Sequence, residues 1–348
     1  MKPKFNLLAT FLLFASFIAN AVNIDAVKEY HESWPANSVQ TMQIINKYGE
    51  VRVENNGGSE VTVDVIVTVE ASSESRANKM LQFIDIDFSK SGNKIKAETS
   101  IDNDFKSRKN FTIDYIVNIP TDKNLIIENK FGNVVVNELN ARGDFIVKYG
   151  LFSAYKLNGV NPEDINITLE YGKATIETIS SAIISVKYSK IFLGKANSLE
   201  LTSKYSVLNI EELNSITLDS RYDTFNFEKA GSVEGSTKYS NLKIDELKKA
   251  IKIENGYGSI KVGEVAPGFE LISINNSYGG ITLGLGSQAS YDVDVNCEYC
   301  NISYDVARFS GNKKSENHTK SIKGGIGSGE PSGKVVINSR YGGVKLYD

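Results

Sequence analysis

The sequence predicts an all-β chain, wound as a parallel β-helix or β-roll solenoid, and three observations predict it. A motif of a polar or basic residue, an aromatic and a small residue recurs twelve times; apolar residues between copies alternate with polar ones; and 28 glycines, 17 tyrosines and 16 phenylalanines stand beside only six prolines. Aromatic and β-branched residues favour strands, and glycine favours tight turns. A repeat this short must be found first, because it dictates the architecture.

From the N-terminus, "MKPKFNLLATFLLFASFIANA" has the anatomy of a secretory signal peptide: Lys2 and Lys4, an apolar core from Leu7 to Ile18, and the small residues around Ala19 and Ala21. That core is shorter than the roughly 20 residues a membrane-spanning helix needs. Residues 1–21 are therefore expected to be removed, leaving a soluble chain without a membrane span in the periplasm, at the cell surface or outside the cell. Residues 22–125 read as a β-rich capping region. They hold the alternating run from Val61, a short helix near Ser73 to Phe83, and longer strands than those that follow.

Residues 126–348 read as the repeat domain. The copies centre on Tyr48, Phe131, Tyr149, Tyr171, Tyr188, Tyr205, Tyr222, Tyr239, Tyr257, Tyr278, Tyr299 and Tyr341, with steps of 17 to 22 residues between Phe131 and Tyr299. Within one unit Leu208, Ile210, Leu213, Ile216 and Leu218 recur at strand spacing, so each unit is two short strands with one buried face. The residue after the aromatic is Gly seven times, Ser three times, Asp once and Cys once, which places a crowded bend there. Seventeen residues cannot hold a helical crossover as well as a strand. Rungs stacked in parallel register, about twelve of them, are the simplest solution, with the aromatics in a file at one corner. A flexible loop is expected near 309–333, in "GNKKSENHTKSIKGGIGSGEPSG", and the C-terminal end carries no evident cap.

The order "NKYGEVRVENNGG", alternating valines, a short helix, "IVNIP", "LIIENKFGNVVV" and then many "KYG" or "KYS" rungs resembles the secreted bacterial β-strand-repeat proteins described as adhesin-like, a domain family of unknown function. The resemblance covers about Val39 to Tyr347 and implies a β-helical or β-roll solenoid on the exported side of the cell. It transfers no catalytic residue.

The residues themselves offer little chemistry. A net charge of −3 creates no field that would select nucleic acid. His31 and His318 lie far apart in sequence and without metal spacing, so neither a metal nor a cofactor is expected. Cys297 and Cys300 frame Tyr299; in an exported chain two cysteines at this spacing favour a local disulfide over a redox motif, which would open a helix. "ITLGLGSQAS", "GGIGSGE" and "SGKVV" each imitate a ligand loop but lack required residues, and read as turns.

Two charge columns remain. Acids recur six residues after the aromatic at Glu54, Glu177, Glu211, Glu228 and Asp245; cations recur just before it, with Lys148, Lys187, Lys204, Arg221 and Lys238 as a possible ligand face. They read either as a solvated surface or as a site for an anionic glycan with tyrosines as stacking platforms. The expected function is a non-catalytic binding or structural role at the cell envelope, with an anionic glycan or another envelope protein as partner. The alternatives are a glycan-active enzyme, a polysaccharide lyase or hydrolase, on the same coil, and an assembly element pairing through its terminal edge.

Overall fold

The computed structural model describes residues 24–55, 57–107, 109–159 and 161–347; the expected signal peptide lies outside them. Among the described residues the fold is all-β, a parallel solenoid of about nine turns with one α-helix. Alternation builds it: in the strand Val207–Arg221 the side chains of Leu208, Ile210, Leu213, Ile216 and Leu218 point inward and are buried, while their neighbours face out. Each strand pairs in parallel with its counterparts above and below, so Lys187, Lys204, Arg221 and Lys238 fall directly over one another. Strands preceding the aromatics form one wall and strands following them form the other. From Lys173 to Gly256, five single strands of 15 or 16 residues run from the second wall of one turn into the first wall of the next.

The corner between the walls is the aromatic residue itself. All twelve aromatics have left-handed φ values between 50° and 65°. Eleven of them donate the backbone N–H to the residue preceding the aromatic of the adjacent rung, as Tyr205 does to the Arg221 carbonyl at 3.1 Å and Tyr222 to that of Lys238 at 2.9 Å, while Tyr299 at the end of the file donates to the His318 carbonyl at 2.7 Å. A left-handed conformation costs an L-residue about 1–2 kcal/mol. The rings offset it, because parallel aromatic pairs contribute about 0.5–1.5 kcal/mol each and an interior ring has two neighbours.

The predicted count of about twelve rungs needs correction. The nine continuous turns lie between Phe131 and Tyr299, and the Tyr48 and Tyr341 copies join the column by returns of the chain. Strands Thr41–Lys47 and Val51–Glu54 pair in parallel with Asn124–Lys130 and Val134–Leu139, so a rung of the stack comes from within the region expected to be only a cap. The remaining N-terminal strands close the end: Phe111–Asn118 and Lys94–Ile101 join the two walls in parallel, and the strands beyond them add on antiparallel. Ile24–Pro35, Glu60–Ala71 and Phe111–Asn118 extend the second wall, Lys94–Ile101 and Ile84–Ser91 extend the first, and the helix Glu74–Leu81 buries Ala77, Met80 and Leu81.

At the other end the chain doubles back. Strand Lys334–Arg340 inserts between Leu271–Ser277 and Tyr291–Glu298, parallel to both, which places Tyr341 between Tyr278 and Tyr299. The loop expected near 309–333 is instead mostly a hairpin of Phe309–Glu316 and Thr319–Ile326, and its second strand pairs antiparallel with Tyr291–Glu298. Its polar, glycine-containing sequence reads as loop because both of its faces are largely exposed; the unpaired edge of the last rung supplies the hydrogen bonds that make it a strand. The end expected to be bare is thus covered. The outermost strand, Phe309–Glu316, carries Lys313 and Lys314, the charges that discourage further pairing.

Candidate ligand face

The aromatic file runs through Tyr48, Phe131 and the succeeding tyrosines to Tyr278, Tyr341 and Tyr299, with ring centroids 4.6–5.2 Å apart and planes within 18° of parallel. Phe111 packs against its first ring and His318 stacks on its last at 4.7 Å. The rings are 38–51% exposed. That exposure is of edges, since each face lies against the next ring. The expected stacking platforms for sugars are therefore absent: the faces are spent within the column.

Behind the rings, small polar side chains tie the bend. Ser220 Oγ donates to Asp223 Oδ2 at 2.9 Å, Asn276 Nδ2 to the Gly279 carbonyl at 2.5 Å, and Ser339 Oγ to the Gly342 carbonyl at 2.6 Å. All three link the residue two before the aromatic to the residue just after it. In the structure the disulfide Cys297–Cys300 spans the same two positions, a covalent counterpart of these hydrogen bonds. The small residue after the aromatic has a steric reason too: a Cβ at Gly279 would stand 1.7 Å from the Gly258 carbonyl oxygen, and one at Gly132 would stand 1.8 Å from that of Gly49. Where serine occurs instead, its hydroxyl accepts the N–H of the preceding rung, as Ser206 does from Ser189 at 3.2 Å.

The predicted basic face is divided. Glu170 takes the place of a cation in the column and pairs with Lys148 at 2.9 Å and Lys187 at 3.5 Å. The Lys148 ammonium holds the Glu170 carboxyl below its ordinary range, and Glu170 raises Lys148 in return. Lys204, Arg221 and Lys238 then follow on three successive rungs, and among the described residues none of them has an acidic partner within ion-pair distance. Asp219, two residues before Arg221 on the same outward face, accepts from Ser236 at 3.4 Å. The acid column stands on the other wall; Asp245 there pairs with Lys243 at 2.8 Å.

Asp223 is the one acid among the bend residues. It is 3% exposed, and burial pushes its carboxyl above the ordinary value. His31 is solvent-exposed, with Nδ1 2.6 Å from Asp64 Oδ1, and this contact raises its pKa. The structure leaves His31 and His318 at opposite ends of the stack.

No family model matches the chain, and no curated protein does. Solved structures do. A candidate cell adhesion protein from Clostridium sporogenes is 10% identical over 92% of this chain and 99% of its own, with a TM-score of 0.22. A candidate adhesin from Bacteroides fragilis is 15% identical over 68% of this chain and 97% of its own, with a TM-score of 0.35. A further candidate adhesin, from Parabacteroides merdae, is 12% identical over 74% and 96%, with a TM-score of 0.34. At these scores the likenesses carry no functional argument. Among the described residues no helix is long and apolar enough to cross a membrane.

Proposed function

We propose that the chain is an exported, non-catalytic, adhesin-like binding protein of the cell envelope, and that its basic run takes an anionic glycan. The observation that carries this reading is the stack of Lys204, Arg221 and Lys238, three cations one rung apart without acidic partners among the described residues. Adjacent rungs are about 4.8 Å apart, so like charges are held within a Debye length of one another and a polyanion lying along the axis meets them together. Lys148 and Lys187 are drawn to Glu170 and serve the run less. A partner with evenly spaced carboxylates, such as a polyuronate, has the matching chemistry.

The surface carboxylates favour binding over hydrolysis. A general acid needs a raised pKa and contact with substrate. The raised carboxyl on the corner, Asp223, is enclosed in the stack, whereas the surface Glu170 is held low by Lys148. Export rests on the sequence of residues 1–21, and the Cys297–Cys300 bond suits an oxidising compartment.

The test is titration with polygalacturonate at low salt, comparing the native chain with the triple reversal Lys204→Glu, Arg221→Glu, Lys238→Glu. The reading expects affinity to fall at least about tenfold, roughly 1.4 kcal/mol, and native binding to weaken with added salt. Equal binding by the two proteins, or none by the native chain, removes it.

A further inference from the structure

Beyond Lys238 the cation column stops. The next two rungs have Gly256 and Ser277 at that position, and Arg340 resumes it only because the C-terminal strand inserts beside Ser277. Two consecutive rungs thus lack a long side chain, and a groove of about 670 Å³ opens along the axis between Lys238 and Arg340.

Strand backbone forms the floor of the groove, and buried polar side chains on the inner face of those strands brace it. Asn255 Nδ2 donates to Asn276 Oδ1 at 2.7 Å and to the Gly258 carbonyl at 2.6 Å, while Asn276 Nδ2 donates to Ser339 Oγ at 2.9 Å. These side chains are only 5–6% exposed and are fixed before any ligand arrives. One wall is an outward asparagine ladder in which Asn338 Nδ2 donates to Asn275 Oδ1 at 3.0 Å and Asn296 Nδ2 to Asn338 Oδ1 at 3.3 Å. An amide has two N–H groups and two acceptor lone pairs. The ladder uses one of each at its middle member, so donors and acceptors remain for a ligand at intervals of about 4.8 Å, close to the length of one pyranose ring. Arg340 is anchored by Glu298 at 3.4 Å and lies 5.1 Å from the Tyr341 ring centroid. Among the described residues Lys238 has no acidic partner within ion-pair distance.

The groove offers amides for hydroxyls and the Lys238 cation at one end, with the Glu254 carboxylate in the same column as Asn275 and Glu298 engaged by Arg340, whereas the basic run offers charge alone. We propose that this groove binds the end of an acidic oligosaccharide of about three to four sugars, with one carboxylate at Lys238 and the following hydroxyls along Asn275 and Asn338. The proposal rests on the anionic-glycan reading and narrows it to a chain end and a groove.

Tetragalacturonate is the probe, titrated calorimetrically and followed by the Asn275 and Asn338 side-chain amide resonances. The native chain binds it and those resonances shift; Gly256→Phe, which fills the groove, weakens binding at least tenfold. A Cβ at Gly256 meets nothing nearer than 3.9 Å, so that variant has room to fold. Asn275→Ala with Asn338→Ala provides a second variant, expected to weaken binding without filling the groove. Unchanged affinity in Gly256→Phe, no binding by the native chain, or equal binding of the uncharged maltotetraose overturns the inference. Because the triple reversal also removes Lys238, the basic run is judged separately by the double reversal Lys204→Glu, Arg221→Glu against polygalacturonate, so either site can fail while the other stands.

Discussion

Replacing Tyr222 at the centre of the aromatic file separates the two forces that meet there. Its ring lies 4.8 Å from those of Tyr205 and Tyr239, with planes 2° and 7° from parallel, and its φ is 60°. Tyr222→Ala removes two ring contacts, about 1–3 kcal/mol together, and roughly 1 kcal/mol of half-buried area, but leaves a Cβ in the left-handed region. Tyr222→Gly loses the same contacts and relieves about 1–2 kcal/mol of backbone strain. The added freedom of glycine in the unfolded chain returns about 0.4–1 kcal/mol of that. Alanine is therefore expected to cost about 2–4 kcal/mol and glycine about 0.5–1 kcal/mol less, the reverse of their usual order in a strand. Urea unfolding followed by far-ultraviolet circular dichroism measures both. If the glycine variant proves as unstable as the alanine variant or more so, the corner is not held against strain by stacking, and the account of the repeat fails.

Asp223→Ser, which restores the residue found at the bends of Ser189, Ser206 and Ser240, is expected to stabilise the protein at neutral pH. Burial raises the folded-state carboxyl above 3.8, while hydrogen bonds from the Ser206 and Arg221 N–H groups and from Ser220 pull it partly back. Asp223 therefore costs nothing through ionisation well below pH 3.8, and the native chain loses stability relative to the variant as pH rises through the raised folded-state value. Denaturation midpoints that differ equally at acid and neutral pH would contradict this. Gly279→Ala forces a Cβ against the Gly258 carbonyl and is expected to cost at least about 2 kcal/mol, whereas Gly280→Ala, with nothing within 4 Å, is expected to change stability by no more than about 0.5 kcal/mol. Thermal melts of the two variants compare them directly.

Much of the fold was legible because it is local. Apolar alternation at Leu208, Ile210, Ile216 and Leu218 can be satisfied only by strands with one buried face, and a small residue after every aromatic announces a crowded corner. The short helix was legible in the same way, and it spans Glu74–Leu81. The interruption of the basic face was also present in the alignment, since Glu170 precedes Tyr171 where other copies carry lysine. What the alignment could not show is that Glu170 reaches Lys148 and Lys187 together.

The order of the stack was decided elsewhere. The 41 residues between Tyr299 and Tyr341 permit the last copy to lie beyond its predecessor or to return beneath it, and every copy presents the same edge, corner and buried stripe. Only the assembled molecule places Tyr341 beside Tyr278, brings Arg340 next to Ser277 and so bounds the groove, and gives "GNKKSENHTKSIKGGIG" an open edge on which to become a hairpin. Periodicity is a property of neighbours along the chain and specifies a rung. Which rung meets which is a matter of hydrogen-bonding edges hundreds of atoms apart, and the chain settles it only when those edges close on one another.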